Sequence, residues 1–448
     1  MNFIGKSNNL IKCLECNKKT LINSSHLCKL CNVMSSLIVE SGNKYIDDFI
    51  KETQFTKESW YSDFQWGNLG DVLCEREKSN FLVWVPYENL TNMEHIGRGG
   101  FSQIYKATWE KPIYKYERIF KTEKTVIVLK VLNDSQNVNN EFLKELKYTY
   151  QLWNEIAMVR CYGVTQNSKT KNYAFVLEYA KNGDLHHFLN KNFAKITWRR
   201  KIYFFRSIVS GIRGIHYKKI MHRDLHSGNI LIIGDSIRIS DLGLSQPANF
   251  DSNLSRKSQM YGIIPYMAPE LFKGQTYSYA SDIYSLGMIM WELTSGHRPF
   301  HDREYGPKLI LDILDGKRPE ITEDTPECWA NLMKRCWHPD PSQRPTIQEI
   351  STLIIGFWPH ILAAEKKRDE MIELNKPFVN NPGYVHPNSR YYSTLLNPML
   401  ESISSTISDL LSNESNDSND NFDIMDINSN QIKDFVQKIF GRNHRRSK

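Results

Sequence analysis

The chain has 448 residues, 40% of them hydrophobic and 24% charged, with a formal net charge of +7. That size and apolar share allow a sizeable buried core, and charge this mild gives no reason to expect a nucleic-acid partner. No stretch reads as a membrane span: the most apolar one, Thr352 to Ala364, is short and interrupted by Gly356, Pro359 and His360.

The first residues lack the apolar core of a signal peptide, and position 2 is Asn, so neither secretion nor N-myristoylation is expected. A cytoplasmic chain follows by default. The basic end, Arg442 to Lys448, reads first as a solvated tail and second as a nuclear import signal. Texture divides the chain into a cysteine-bearing module (1–33), a segment mixing acids and aromatics (34–89), a long patterned domain (90–354), a C-terminal extension (355–400) and a polar tail expected to be disordered (401–448).

In the first region, Cys13-x-x-Cys16 and Cys28-x-x-Cys31 form two turns separated by eleven residues. Two such turns can set four thiolates tetrahedrally around Zn²⁺, and a segment this small would scarcely fold without a metal. His26 is read as a bystander. The module is expected to hold structural zinc and to offer a surface to a protein partner. Cys74, Cys161, Cys328 and Cys336 are scattered and read as buried thiols.

From Met93 to Tyr179 short β-type runs dominate (Gln103 to Ala107, Val126 to Leu132, Tyr173 to Glu178), with one helical stripe through Leu143, Leu146, Tyr150 and Trp153. After Gly183 the patterns turn helical, as in Trp198 to Tyr217 and Asp282 to Thr294. A small sheet-rich lobe followed by a larger helical lobe is the expected α+β architecture.

Four motifs in chain order carry chemistry. Ile96-Gly97-Arg98-Gly99-Gly100-Phe101-Ser102-Gln103-Ile104 places glycines between two strands, where backbone N–H groups can approach phosphate oxygens. An ordinary hairpin would look the same in isolation. Lys130 closes the run Val126 to Lys130, at a distance suited to reach the α- and β-phosphates; Glu145 is its expected partner, with Glu141 competing. His222-Arg223-Asp224-Leu225-His226-Ser227-Gly228-Asn229 offers a carboxylate, Asp224, to orient an acceptor hydroxyl and an amide, Asn229, to reach a metal ion. Asp241-Leu242-Gly243, twelve residues beyond Asn229, adds a hard oxygen ligand for Mg²⁺.

Together these motifs resemble the eukaryotic protein kinase superfamily over 90–354, and the strings around Asp224 and Trp291 are similar to its tyrosine-kinase-like group. The cysteine pairs, Trp84-Val85-Pro86-Tyr87 and His386-Pro387 are similar to a kinase family expanded in arbuscular mycorrhizal fungi. The resemblance implies a bilobal kinase fold, ATP and Mg²⁺ as cofactors, and transfer of phosphate to serine or threonine of protein substrates. It implies that Ile96 to Ile104, Lys130, Leu177, Glu178, Ala180, Asn229 and Asp241 face the nucleotide, with Leu177 as gatekeeper. It also implies that Glu270 in Ala268-Pro269-Glu270 pairs with Arg344, that Asp282 anchors the loop of Asp224, and that Arg223 takes up a phosphate placed on Ser252, Ser255, Ser258 or Tyr261. The sequence departs from the pattern at Ser102, Leu242, His226 and Ile263; the last stands near the family's usual Thr that bonds Asp224. A nucleotide-binding scaffold without catalysis is the alternative, and a third reading gives the cysteine module the main role.

Overall fold

The structure is a computed structural model. It describes residues 11–14, 19–20, 26–27, 39–54, 81–100, 102–115, 118–137, 140–153, 157–247, 260–380, 382–389 and 392–401. Cys16, Cys28, Cys31, Phe101, Ser252, Ser255 and Ser258, and the tail expected to be disordered beyond Glu401, lie outside the described residues. The chain forms two compact units, 1–154 with 159–179, and 155–158 with 180–448.

The first unit opens with a small antiparallel pair, β1 (Ile11–Lys12) and β2 (Lys19–Thr20), with buried Cys13 directly after β1. The amide of Leu14 donates to the carbonyl of His26. Helix α1 (Lys44–Gln54) follows, and the two-residue β3 (Val83–Trp84) pairs in parallel with a later strand. The main sheet is completed by β4 (Leu90–Arg98), β5 (Ser102–Lys115), β6 (Arg118–Leu132), β7 (Cys161–Gln166) and β8 (Tyr173–Glu178). Its order is β3-β7-β8-β6-β5-β4. Helix α2 (Asn140–Trp153) carries the stripe read from Leu143 and Leu146.

The period-two alternation of strands sorts this unit's core onto two faces. Ile127, Leu129, Ala174 and Val176 pack with Leu90, Ala107 and Trp109 on one face. Tyr173 and Phe175 turn to the other, where they meet Phe142, Leu146 and Tyr150 of α2 and Ile46 and Ile50 of α1. Neither helix α1 nor strand β3 was expected from the sequence, although Ile46, Phe49 and Ile50 recur at helical spacing. The two elements are pinned by Thr53, whose hydroxyl accepts from the amide of Leu82 (3.1 Å) and whose carbonyl accepts from the Tyr150 hydroxyl (3.0 Å). Gly163 on β7 has no room for a side chain, because a Cβ there would run into the backbone of Val83.

The second unit is mainly helical: α3 (Leu185–Asn192), α4 (Trp198–Tyr217), α5 (Pro269–Phe272), α6 (Tyr279–Ser295), α7 (Pro307–Leu314), α8 (Glu327–Cys336), α9 (Ile347–Leu353) and α10 (Ile361–Glu373). Helix α4 matches the helical pattern read from the sequence; Thr197 caps it by accepting from the amide of Arg200. Helix α6 is buried almost throughout, opens on a Ser278–Ser281 capping box and ends on Gly296 at φ 77°. Short strand pairs join β9 (Ile220–Met221) to β12 (Gln246–Pro247), β10 (Ile230–Ile233) to β11 (Ser236–Ile239), and β13 (Tyr261–Gly262) to β14 (Thr394–Leu395).

Beyond Phe357 the sequence loses its apolar rhythm, yet the extension is structured. Residues 341–373 are long and apolar enough, by composition alone, to pass for a membrane span. Instead α10 packs on the unit through Ile361, Ala364 and Met371, and buried Arg368 donates to the carbonyl of Ala194 and the carboxylate of Glu365. Further on, Phe378 packs edge-on against Phe193, and Lys376 pairs with Glu323.

Candidate active site

In the first unit, the glycine run is the turn between β4 and β5. Gly97 faces Ile104 and Arg98 faces Gln103 across the hairpin, and Gly99 closes it by donating to the carbonyl of Ser102 (2.8 Å). A Cβ on Gly99 would sit 2.9 Å from the Ser102 hydroxyl, which would have to rotate aside to admit it. Ile96, Arg98 and Gly100 are exposed at this turn, and Ser102 is buried.

Lys130 lies on β6 opposite Ile104 on one side and Phe175 on the other. Strand alternation puts it on the face covered by α2, away from Leu129. There its Nζ lies 2.7 Å from Oε1 of Glu145, with both side chains about nine-tenths buried. Of the two acids the sequence offered, Glu145 is therefore the one brought to Lys130. Leu177 is half-buried on β8, facing Val128 and Cys161 in the neighbouring strands, and Glu178 follows it.

In the second unit, Asp224, Asn229 and Asp241 are brought together by one hairpin. Ile230 pairs with Ile239, so Asn229 and Ser240 fall opposite each other at its open end. The amide and hydroxyl of Ser240 both donate to the carbonyl of Asn229, at 2.9 and 3.1 Å. The twelve-residue spacing between Asn229 and Asp241 is thus the length of two short strands and a tight turn. Asn229 Nδ2 donates to the carbonyl of Asp224 (2.9 Å), which leaves its Oδ1 as the atom a metal could use.

Two residues here hold a left-handed backbone without being glycine: Arg223 at φ 72° and Asp241 at φ 62°. Such conformations cost roughly 1–3 kcal/mol each and persist only where neighbours over-determine them. Asp282 of α6 does so for the loop of Asp224, accepting from the amides of both His222 and Arg223 at 2.9 Å. His216 bonds the same carboxylate at 2.9 Å. Burial pushes the Asp282 carboxyl up, but the contact with His216, the nearby His222 ring and the amide of Arg223 outweigh it and leave it below the usual value.

Burial lowers the pKa of Arg223, whose guanidinium lies 4.2 Å from the ring centroid of Tyr277; its Nε is buried with no hydrogen-bond partner among the described residues. Burial pushes the Tyr277 hydroxyl up to about 12. His226 turns inward, its Nδ1 accepting from the amide of Gly228 (3.1 Å) and its Nε2 lying 3.8 Å from Asp224. Glu270 and Arg344 form a doubly bonded buried pair, 2.7 Å on each arm. Leu242 is buried, and so is Ile263, which carries no hydroxyl towards Asp224.

One further residue had no signal in the sequence. Ser393, in the C-terminal extension, donates its hydroxyl to the carboxylate of Asp224 and lies 2.7 Å from each oxygen. The two are 169 residues apart, and nothing local to Ser393 announces the contact.

Comparison with known proteins places these groups in a family. The family model for protein tyrosine and serine/threonine kinases matches residues 90–354. A Dictyostelium discoideum protein named as a probable serine/threonine-protein kinase is 27% identical over 67% of this chain and 17% of its own length. A protein of Acanthamoeba polyphaga mimivirus named as a serine/threonine-protein kinase/receptor is 29% identical over 62% of this chain and 16% of its own. Human mitogen-activated protein kinase kinase kinase 7 is 27% identical over 63% of this chain and 44% of its own length. The chain thus spans less than half the length of each of these relatives. It belongs to the protein tyrosine and serine/threonine kinase family of the eukaryotic protein kinase superfamily, and is tyrosine-kinase-like.

Proposed function

We propose that the chain transfers the γ-phosphate of Mg-ATP to serine or threonine hydroxyls of protein substrates, in intracellular signalling. The observation that carries this is the loop of Asp224, held by Asp282, with Asn229 and Asp241 flanking the open end of one hairpin. Those two side chains are hard oxygen donors and suit Mg²⁺. Asp224 orients the acceptor hydroxyl and takes its proton, while Lys130, held by Glu145, and the amides of Gly97 to Ser102 receive phosphate oxygens. Leu177, Glu178 and Ala180 border the adenine. Bound Mg-ATP supplies the phosphoryl group and the leaving nucleotide.

Lys130, Glu145, Asp224, Asn229 and Asp241 are all present, which disfavours a scaffold that only binds nucleotide. The relatives' names favour serine and threonine, although His226 and Ile263 depart from that pattern. Purified protein should phosphorylate a generic substrate, and Asp224→Asn should lower the rate by about 10²-fold or more. A wild type no faster than that variant rejects catalysis, and phosphoamino-acid analysis of the product decides between serine or threonine and tyrosine.

The cysteine module is proposed to hold structural Zn²⁺ through Cys13, Cys16, Cys28 and Cys31 and to engage a protein partner. Cys13 is buried beside the β1–β2 pair, which suits a metal-bearing turn. Elemental analysis that finds no zinc in the purified protein removes this proposal. The cytoplasm is the proposed location.

A further inference from the structure

We propose that Ser393 is the protein's own phosphoacceptor, phosphorylated in cis by the site against which it is held. This rests on the kinase reading above. Asp224 is the carboxylate that reading assigns to the acceptor hydroxyl, and the hydroxyl it holds in this structure is that of Ser393, 2.7 Å from both carboxylate oxygens. Ser393 is itself only 7% exposed. Ile263 brings no hydroxyl to the carboxylate; other side chains near it are Asn229, with Nδ2 3.5 Å from Oδ2, and His226, with Nε2 3.8 Å from Oδ2.

The segment around Ser393 is bound as an extended peptide substrate would be. Strand β14 pairs antiparallel with β13, Tyr261 facing Leu395 and Gly262 facing Thr394. The pairing is continued by the amide of Leu396 donating to the carbonyl of Met260 (2.8 Å), and by the amide of Met260 donating to Oδ1 of Asn397 (2.6 Å). Main-chain pairing of this kind is indifferent to side chains and serves any acceptor peptide. The approach is fastened too: His386 donates its amide to the carbonyl of His301, and Tyr305 donates to the carbonyl of Asn388. Ser393 is therefore presented by a track anchored on both sides rather than by a loose end, and its effective concentration at Asp224 far exceeds that of a free peptide.

In the step, the Ser393 oxygen attacks the γ-phosphorus of ATP. The Oγ–P bond forms, the bond from that phosphorus to the β,γ-bridging oxygen breaks, ADP leaves, and the hydroxyl proton passes to Asp224. The product carries about −1.5 to −2 charges at pH 7. Beside the carboxylate of Asp224 that charge repels, so β14 is expelled and the track opens to other substrates.

The test uses the full chain, treated with phosphatase and then given Mg-ATP. Mass spectrometry should find phosphate on Ser393, at a fractional rate independent of protein concentration, with none in Ser393→Ala. A Lys130→Met copy mixed with wild type should stay unmodified at Ser393. Without nucleotide, amide exchange at Leu396 should be slow in the wild type and fast in Ser393→Glu. An active protein that leaves Ser393 unmodified overturns the proposal and spares the kinase reading; Ser393 is then only a fixed partner of Asp224. Phosphate on the Lys130→Met copy overturns action in cis, and fast exchange at Leu396 in the wild type overturns the seated track. If no substrate of any kind is phosphorylated, the kinase reading fails first.

Discussion

The pair Glu270–Arg344 offers a sharp test of how the helical unit is held. Glu270 sits on α5, and Arg344 lies between α8 and α9; their side chains are 5% and 0% exposed. Arg344 donates to both carboxylate oxygens at 2.7 Å and also to the carbonyls of Ala280 (2.9 Å) and His338 (2.8 Å). Glu270→Ala leaves a guanidinium buried with carbonyls alone, and breaking a buried pair from one side costs about 3–5 kcal/mol. Domains are stable by only about 5–15 kcal/mol, so this is a large share. With a urea slope near ~2 kcal/mol/M, the unfolding midpoint should fall by about 2 M. Buried Trp198 and Trp329 belong to this unit and report its unfolding by fluorescence. Glu270→Met with Arg344→Met removes both charges and should be no less stable than Glu270→Met or Arg344→Met alone, giving a coupling of about 2 kcal/mol or more. A single variant that loses less than ~1 kcal/mol, or a double variant whose losses simply add, would refute the argument.

Other expectations follow from the same geometry. Gly163→Ala forces a Cβ into the backbone of Val83, so β3 should leave the sheet; hydrogen exchange at Val85, whose amide donates to the carbonyl of Val164, should rise sharply while β5 and β6 stay protected. Ile50→Ala empties a buried position between α1 and α2 and should destabilise the first unit by about 2–5 kcal/mol in urea. Lys201 is fully buried on α4, 3.3 Å from the carbonyl of Thr294 and 3.5 Å from Asp324; burial outweighs Asp324 and lowers its pKa to about 8. Between about 8 and its ordinary 10.5 the unfolded chain keeps a proton that the folded chain has lost, so stability contributed here rises with pH across that window. Measured against Lys201→Met, the wild type should gain up to about 3 kcal/mol from pH 8 to 10.5, since each tenfold difference in proton affinity between the folded and unfolded chains is worth about 1.4 kcal/mol. A constant difference between the two proteins across that range would contradict it.

How far the site could be read from sequence depends on what each part requires chemically. Lys130, Asp224, Asn229 and Asp241 must be particular residue types, and apart from Asp282, which holds the loop of Asp224 from afar, their supports are close in the chain: a strand carrying Lys130, a helix turn carrying Glu145, a hairpin whose length sets Asn229 against Ser240. Such demands leave residues at fixed spacings, so they were legible. The α4 pattern was legible for the same reason, because one face of a long helix must be apolar. Helix α1 does carry a helical stripe, Ile46, Phe49, Ile50 and Thr53, but it is only about three turns long and lies among charged neighbours; β3, two residues long, builds no periodic signal. The extension after Phe357 is held by contacts across long separations, such as Arg368 to Ala194, Phe378 to Phe193 and β14 to β13, which no window along the chain can show. Ser393 is the limiting case. An acceptor needs only a hydroxyl on an extended backbone, and many polar segments have that. What selects Ser393 is β13, laid down more than a hundred residues earlier, so the occupant of the acceptor track could be named only once the pairing of Gly262 with Thr394 was seen.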